Sequence, residues 1–256
     1  MDNRHVTLDV NGRPVSTEAP ASLTLLRFLR DELRLTSAKD GCSQGHCGTC
    51  MVLIDGKPTL SCLVKVASLS GQRVETIEGI SANGRLHPVQ QTLIDYGAVQ
   101  CGFCIPGMVI SAKALLDKKL HPSTDEVKRA LRLHLCRCGG YPKIIQAVQA
   151  AGRIMAGEDG GGSKALVTGH AVGSSFPDKD GIEKVTGQIQ YADDLYVEGM
   201  LYGKALWSQY PHAEILEVDT KEAKRMPGVQ AVLTAKDVPG RNEFGFLVRH
   251  QPVLAG

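Results

Sequence analysis

The chain has 256 residues, 43% hydrophobic and 22% charged, the composition of an ordinary globular protein with room for about two or three domains and a core that needs no disulfides. A formal net charge of only +2 gives no reason to expect nucleic acid or an anionic membrane as a partner. The local basic run Lys128, Arg129, Arg132, Arg137 and Lys143 reads as a solvated helix face or a docking surface. The first ten residues lack the apolar core of a signal peptide, and no stretch approaches the length of a membrane span. Cytoplasm is therefore the expected compartment, where eight cysteines point to metal or redox chemistry more than to disulfides.

In chain order, residues 5–10 (HVTLDV) alternate, with Val6, Leu8 and Val10 on one face. Asn11-Gly12 offers the positive-φ pair of a two-residue hairpin turn, and residues 13–16 are the return strand. Ser22 is the expected N-cap of an amphipathic helix carrying Leu25, Leu29 and Leu33 at i, i+4 and i+8. Residues 51–54 are a short apolar strand, Asp55-Gly56 a turn toward Thr59 and Leu60, and residues 73–77 a last strand. A small sheet crossed by one helix is a β-grasp arrangement, the shape of a plant ferredoxin.

From Pro88 the period becomes helical. Helices are expected over residues 88–96, 106–118, 124–134 and 143–155, with Pro88 and Pro106 in first turns and Ser123 and Glu126 as a capping box. Four short helices with short loops suggest a compact bundle. Residues 157–163 (GEDGGGS) have the composition of a flexible linker. Beyond them, residues 200–207, 213–218 and 229–233 are strand-like, with Pro227-Gly228 and Pro239-Gly240 as turns. No internal repeat is visible.

The cysteines form two groups. In GCSQGHCGTC, Cys42, Cys47 and Cys50 are spaced C-x4-C-x2-C, and Cys62 follows after eleven residues. This is the loop spacing of a plant-type [2Fe-2S] site. Gly41, Gly45 and Gly48 clear side chains so that backbone N–H groups can turn inward on a negative cluster. Zinc or a disulfide pair is the plainer alternative, but zinc sites usually show two C-x2-C knuckles. His46 is a conceivable ligand, though four cysteines complete the set and an exposed loop residue is the simpler reading. The early position of Cys62 departs from plant-type ferredoxins. The second group, Cys101 and Cys104 in QCGFCIPG with Cys136 and Cys138 in HLCRCGG, sits at helix ends, where N-terminal amides favour thiolates. Gly102, Gly107, Gly139 and Gly140 again make room. On spacing alone, a four-thiolate zinc site stays open for this group.

Both groups in this order, with QCGFCIPG and LCRCGGYPKIIQA, resemble the iron–sulfur part of the molybdenum hydroxylase family, that is xanthine dehydrogenase and aldehyde oxidoreductase. The resemblance covers residues 6–155 and accounts for the early Cys62. It implies two [2Fe-2S] clusters, the outer held by Cys42, Cys47, Cys50 and Cys62, the inner by Cys101, Cys104, Cys136 and Cys138. It also implies that Gln100 hydrogen-bonds the molybdopterin cofactor and that Cys138 lies closest to it. Without the family, Gln100 reads equally as an ordinary helix-end amide.

DGIEKVTGQIQYADDLYVEGMLYGKAL and PHAEILEVDTKEAKRMPGVQAVLTAKDVPG are similar to the opening α/β segment of the family's molybdenum-binding subunit. The expected α+β architecture is therefore a β-grasp domain (residues 1–78), a four-helix [2Fe-2S]-binding bundle (79–156), a Gly-rich linker (157–170), and an incomplete α/β hammerhead-type segment (171–256) that folds poorly alone. The family's molybdenum-site residues, including its glutamate base, are expected downstream of this sequence, and none of the chain's own residues is expected to be catalytic. Molybdopterin is then contacted here but held mainly by the remainder of the chain or a partner subunit. The implied function is electron transfer from that site, where a heterocycle or aldehyde is oxidised, to a separate FAD subunit or another acceptor. A freestanding two-cluster carrier and a zinc-stapled interaction module are the competing readings.

Overall fold

The computed structural model describes residues 3–81, 84–160, 176 and 178–255. Two compact units divide the chain, Met1–Tyr196 and Val197–Gly256. Of the linker expected at 157–170, residues 161–170 lie outside the described residues, as do residues 171–175 of the segment expected after it.

The first unit opens on a hairpin. β1 (Asn3–Val10) pairs antiparallel with β2 (Arg13–Pro20). Asn11 and Gly12 at the turn have φ of 53° and 78°, the left-handed pair that matches the strands' twist. Asp55 and Gly56, at 47° and 75°, join β3 (Met51–Ile54) to β4 (Lys57–Leu60) in the same way. β5 (Arg73–Glu75) inserts between β1, to which it is parallel, and β3, to which it is antiparallel. The result is a mixed five-stranded sheet of order β2-β1-β5-β3-β4. β5 is shorter than expected. Ile77 leaves the ladder and opens a short helix, α2 (Ile77–Ile80), which buries it in the helical core.

The helix after β2 is capped by Thr24, not Ser22. The Thr24 hydroxyl accepts from Arg27 N, and α1 (Leu25–Arg27) widens at once into a π-turn over Phe28–Glu32. Leu25, Leu26, Phe28 and Leu29 are all buried against the sheet. A wider turn buries consecutive residues, which a regular 3.6 period does not.

Four helices follow: α3 (Pro88–Asp95), α4 (Ile105–Leu116), α5 (Thr124–Ala130) and α6 (Tyr141–Met155). β3 ties them to the sheet. Its four residues are all buried, and strand alternation sends Val52 and Ile54 into the sheet's own core and Met51 and Leu53 into the helical core. The central helix, α4, is apolar nearly all round, as a helix packed on every side must be.

The Ser123–Glu126 capping box forms as the sequence predicts. Ser123 Oγ accepts from Glu126 N at 3.3 Å, and Glu126 Oε2 accepts from Ser123 N at 2.8 Å. Ser123→Ala is expected to cost about 1 kcal/mol in urea unfolding at neutral pH. The Lys119 ammonium beside Glu126, with the Ser123 amide, holds its carboxyl down to about 2. A carboxylate depressed on folding stabilises above its ordinary value of 4.5 and loses that contribution as pH falls through the folded value. The deficit of a Glu126→Gln variant is therefore expected to be full at neutral pH, to shrink as the pH of the unfolding series is lowered from 4.5 toward about 2, and to vanish below that.

Among the described residues of the second unit, none of the three strand-like runs forms a strand. The one β-bridge there joins Phe244 and Gln251. Most apolar side chains of those runs face solvent, with Leu206 93% and Leu216 89% exposed. A strand is held by its ladder partner, and here the alternating pattern meets none. Among the described residues no helix is long and apolar enough to cross a membrane.

Candidate cluster-binding site

Backbone geometry shapes the first cysteine loop. Ser43, Gly45 and Gly48 have φ of 49°, 78° and 72°, and these reversals turn amides toward sulfur. Gln44 N and His46 N each donate to Cys42 Sγ at 3.4 Å. Burial alone would raise the Cys42 thiol, but those amide dipoles outweigh it and bring it down to about 7. His46 contributes its backbone amide, not its ring, to this arrangement. Gly41 serves close approach: a Cβ there would stand 2.9 Å from Cys47 Sγ and from Thr49 Oγ1. Cys50, at the mouth of β3, and Cys62, in the turn after β4, are both buried. The Ser61 amide and hydroxyl both donate to Cys50 O, at 3.2 and 2.7 Å. Burial pushes the Cys50 thiol up to about 12.

The second group gathers around the start of α4. Cys104 caps that helix, and Cys136 and Cys138 lie on the turn that leads into α6. All four cysteines line one small cavity, with Gly102 and Gln100 on its wall. The C-x-C turn is held by Tyr141, whose hydroxyl accepts from Cys136 N at 2.7 Å and donates to His134 O at 3.1 Å. Gly140 N donates to Cys136 Sγ at 3.4 Å. Burial raises the Cys104 and Cys101 thiols, while hydrogen bonds from Cys101 lower that of Cys138. Cys101 and Cys138 are exposed; Cys104 is buried.

In the first group Cys42 lies beside Cys47 and Cys50 beside Cys62; in the second, Cys101 lies beside Cys138, and Cys136 beside both Cys104 and Cys138. Four thiols at each site, with inward amides, clearing glycines and a first loop of plant-type spacing, have the donor set of a [2Fe-2S] site. The residues present therefore fit a [2Fe-2S] cluster in each place. Burial favours the protonated thiols of Cys50 and Cys104, which would have to give up their protons to hold a cluster.

The two groups meet at one seam. Leu135 N donates to Cys47 O at 3.0 Å, and a Cβ on Gly107 would stand 2.3 Å from Gly48 O. His134 is buried beside this seam, its Nε2 2.7 Å from Ser111 Oγ, and burial lowers its pKa to about 4, leaving it neutral. Neither His134 nor Tyr141 stands out in the sequence as more than packing. The one hint for Tyr141 is its place before Pro142 at a helix start.

Two cysteine-loop domains in series, each with amides and glycines turned on four sulfurs, define an iron–sulfur protein. Known families agree. Residues 8–75 match the 2Fe-2S iron-sulfur cluster binding domain, residues 76–149 the [2Fe-2S] binding domain, and residues 186–256 the a/b hammerhead domain of aldehyde oxidase and xanthine dehydrogenase. The nicotinate dehydrogenase small FeS subunit of Eubacterium barkeri is 40% identical over 151 residues, 59% of this chain and 96% of that one. Aldehyde oxidoreductase of Megalodesulfovibrio gigas is 38% identical over 94% of this chain, which spans 28% of its length. The crystal structure of aldehyde oxidoreductase from Desulfovibrio desulfuricans superposes with a TM-score of 0.89 at 38% identity, over 99% of this chain and 30% of that one. The chain belongs to the molybdenum hydroxylase family, as its iron–sulfur part joined to hammerhead sequence.

Proposed function

We propose that this chain conducts electrons through two [2Fe-2S] clusters, from a molybdopterin site toward an external acceptor, in an enzyme that oxidises a heterocycle or an aldehyde. The observation that carries the reading is the single cavity walled by Cys101, Cys104, Cys136 and Cys138. These four are the proposed ligands of the inner cluster, and Cys42, Cys47, Cys50 and Cys62 those of the outer one. When bound, each cluster would accept and release one electron at a time. The protein supplies placement and electrostatics: amides aimed at Cys42 stabilise negative charge, and low-polarity burial around Cys50 and Cys104 opposes it.

The inner site opens outward at Cys101 and Cys138, beside exposed Gln100. That edge is the proposed meeting point with molybdopterin, Gln100 donating a hydrogen bond and Cys138 standing nearest. The cofactor itself is proposed to be held by a molybdopterin-binding subunit or further chain. One candidate acceptor is a FAD subunit, and the proposed location is the cytoplasm. In the finer description of the fold, the sheet with α1 is a β-grasp, α3 to α6 form a cluster-binding bundle, and the second unit is part of a hammerhead domain.

Chain purified without oxygen is expected to be red-brown, to hold about four irons, and to give two distinguishable EPR signals on reduction. One iron or fewer with no EPR signal, and zinc in its place, would refute the proposal.

A further inference from the structure

Residues 178–196 follow the Gly-rich stretch in sequence yet fold into the first compact unit. α7 (Gly181–Thr186) packs on α3 and α4, and buried Gln90 donates Nε2 to Val185 O at 2.8 Å. The next turn approaches so closely that a Cβ on Gly187 would stand 2.4 Å from Ser37 Cβ. Asp194 then enters the protein with its side chain 1% exposed. One carboxylate oxygen accepts from Arg30 Nη2 at 2.8 Å and the other from Lys39 Nζ at 2.6 Å, those side chains being 6% and 1% exposed. Arg30 is fixed further by donating to Thr36 O and Ala38 O, and it reaches the exposed Asp193 carboxylate at 3.5 Å. Buried charges persist only where paired and hydrogen-bonded, so this cluster sets one seat for the segment.

From that seat Tyr191 reaches the second cysteine loop. Its ring lies 4.8 Å beneath Lys39 Nζ and meets Phe103 edge-on at 5.3 Å, and its hydroxyl donates to Cys101 O at 2.7 Å. The loop lies too close at this contact to carry a side chain. Gly102 has φ of 87°, and a Cβ there would collide with Lys184 Cγ at 2.6 Å and Tyr191 Oη at 2.7 Å.

We infer that residues 178–196 are a latch that positions the second cysteine loop: Asp194 seats the latch between Arg30 and Lys39, and the Tyr191 hydroxyl fixes the Cys101 carbonyl. Tyr191 and Asp194 are positioning residues, and the inference rests on reading that loop as a cluster ligand.

The test uses the full chain, with clusters, in hydrogen exchange and EPR. Tyr191→Phe keeps the ring and removes one hydrogen bond. It is expected to speed amide exchange in residues 101–105 roughly five- to tenfold, the equivalent of one such bond, and to shift one EPR signal while the other stays fixed. Asp194→Asn is expected to raise exchange in residues 181–195 and 101–105 together. Wild-type exchange over 101–105 in Tyr191→Phe, with both EPR signals unmoved, would overturn the latch, and this decides the matter even if Asp194→Asn does not fold. A wild-type chain with no EPR signal would instead overturn the cluster reading, while the exchange comparison still judges the latch.

Discussion

Replacing Cys104 with serine is expected to halve the iron, from about four to about two per chain, and to erase one of two EPR signals while the other persists. The reason for independence lies in the packing. Cys104 belongs to the helical core with Met108 and Ile144, whereas Cys50 and Cys62 belong to the sheet core with Val52 and Leu29. Cys50→Ser is accordingly expected to erase the complementary signal. Two effects compete in each variant. A buried serine hydroxyl without a partner costs about 1–3 kcal/mol. Loss of a thiolate ligand removes part of a metal-binding free energy that, for structural zinc, is on the order of 10 kcal/mol. Metal loss therefore dominates, and the unfolding midpoint of both variants is expected to fall by more than the hydroxyl alone explains. Iron and EPR measured on both variants check the assignment. Loss of both signals in either variant would show that the two sites are one cooperative unit.

Much of this architecture is legible in the sequence. Asn11-Gly12 and Asp55-Gly56 predict their hairpins because only residues tolerant of positive φ suit those turns. The capping box at Ser123 and the prolines at Pro88 and Pro106 mark helix starts for equally local reasons. What local patterns miss is decided at long range. The π-turn at Phe28 exists because Leu25, Leu26, Phe28 and Leu29 all face one sheet, and no fixed period expresses that. The strand-like runs 200–207, 213–218 and 229–233 carry β-propensity, but propensity alone forms no ladder.

The cysteines show the same division. Spacing and glycines single out all eight, and the structure places the second four on the wall of one cavity. Spacing does not reveal the groups that hold the quartets. Tyr141 grips the C-x-C turn from five residues away, Tyr191 reaches Cys101 across ninety positions, and Asp194 meets Lys39 across 155. No motif spans the last two of these distances. Gly48 and Gly107 read as room for a cluster, whereas their tightest contacts are with each other and with Leu133 and His134.

That seam yields the other large effect. Gly107 is the third residue of α4, where alanine ordinarily favours a helix by about 1 kcal/mol. Here a Cβ would meet Gly48 O at 2.3 Å and His134 Cε1 at 3.2 Å. The nearer atom is backbone in the first cysteine loop, so relief requires moving that loop, and overpacking of this kind costs about 1–3 kcal/mol or more. Gly107→Ala is therefore expected to destabilise the chain by about 2 kcal/mol net in urea unfolding, reversing the helix preference. Gly139→Ala is the control. Gly139 has φ of 73° but nothing within 4 Å of its absent Cβ, so it should lose only about 1 kcal/mol to left-handed strain. The two variants also separate by site. Loop displacement in Gly107→Ala stretches the Leu135 N to Cys47 O bond, which links the two cysteine groups, and is expected to perturb both EPR signals, whereas Gly139→Ala touches only the second. A Gly107→Ala chain as stable as wild type, with both signals intact, would mean that the seam is looser than its backbone contacts imply and that the two groups are not held in fixed register by it.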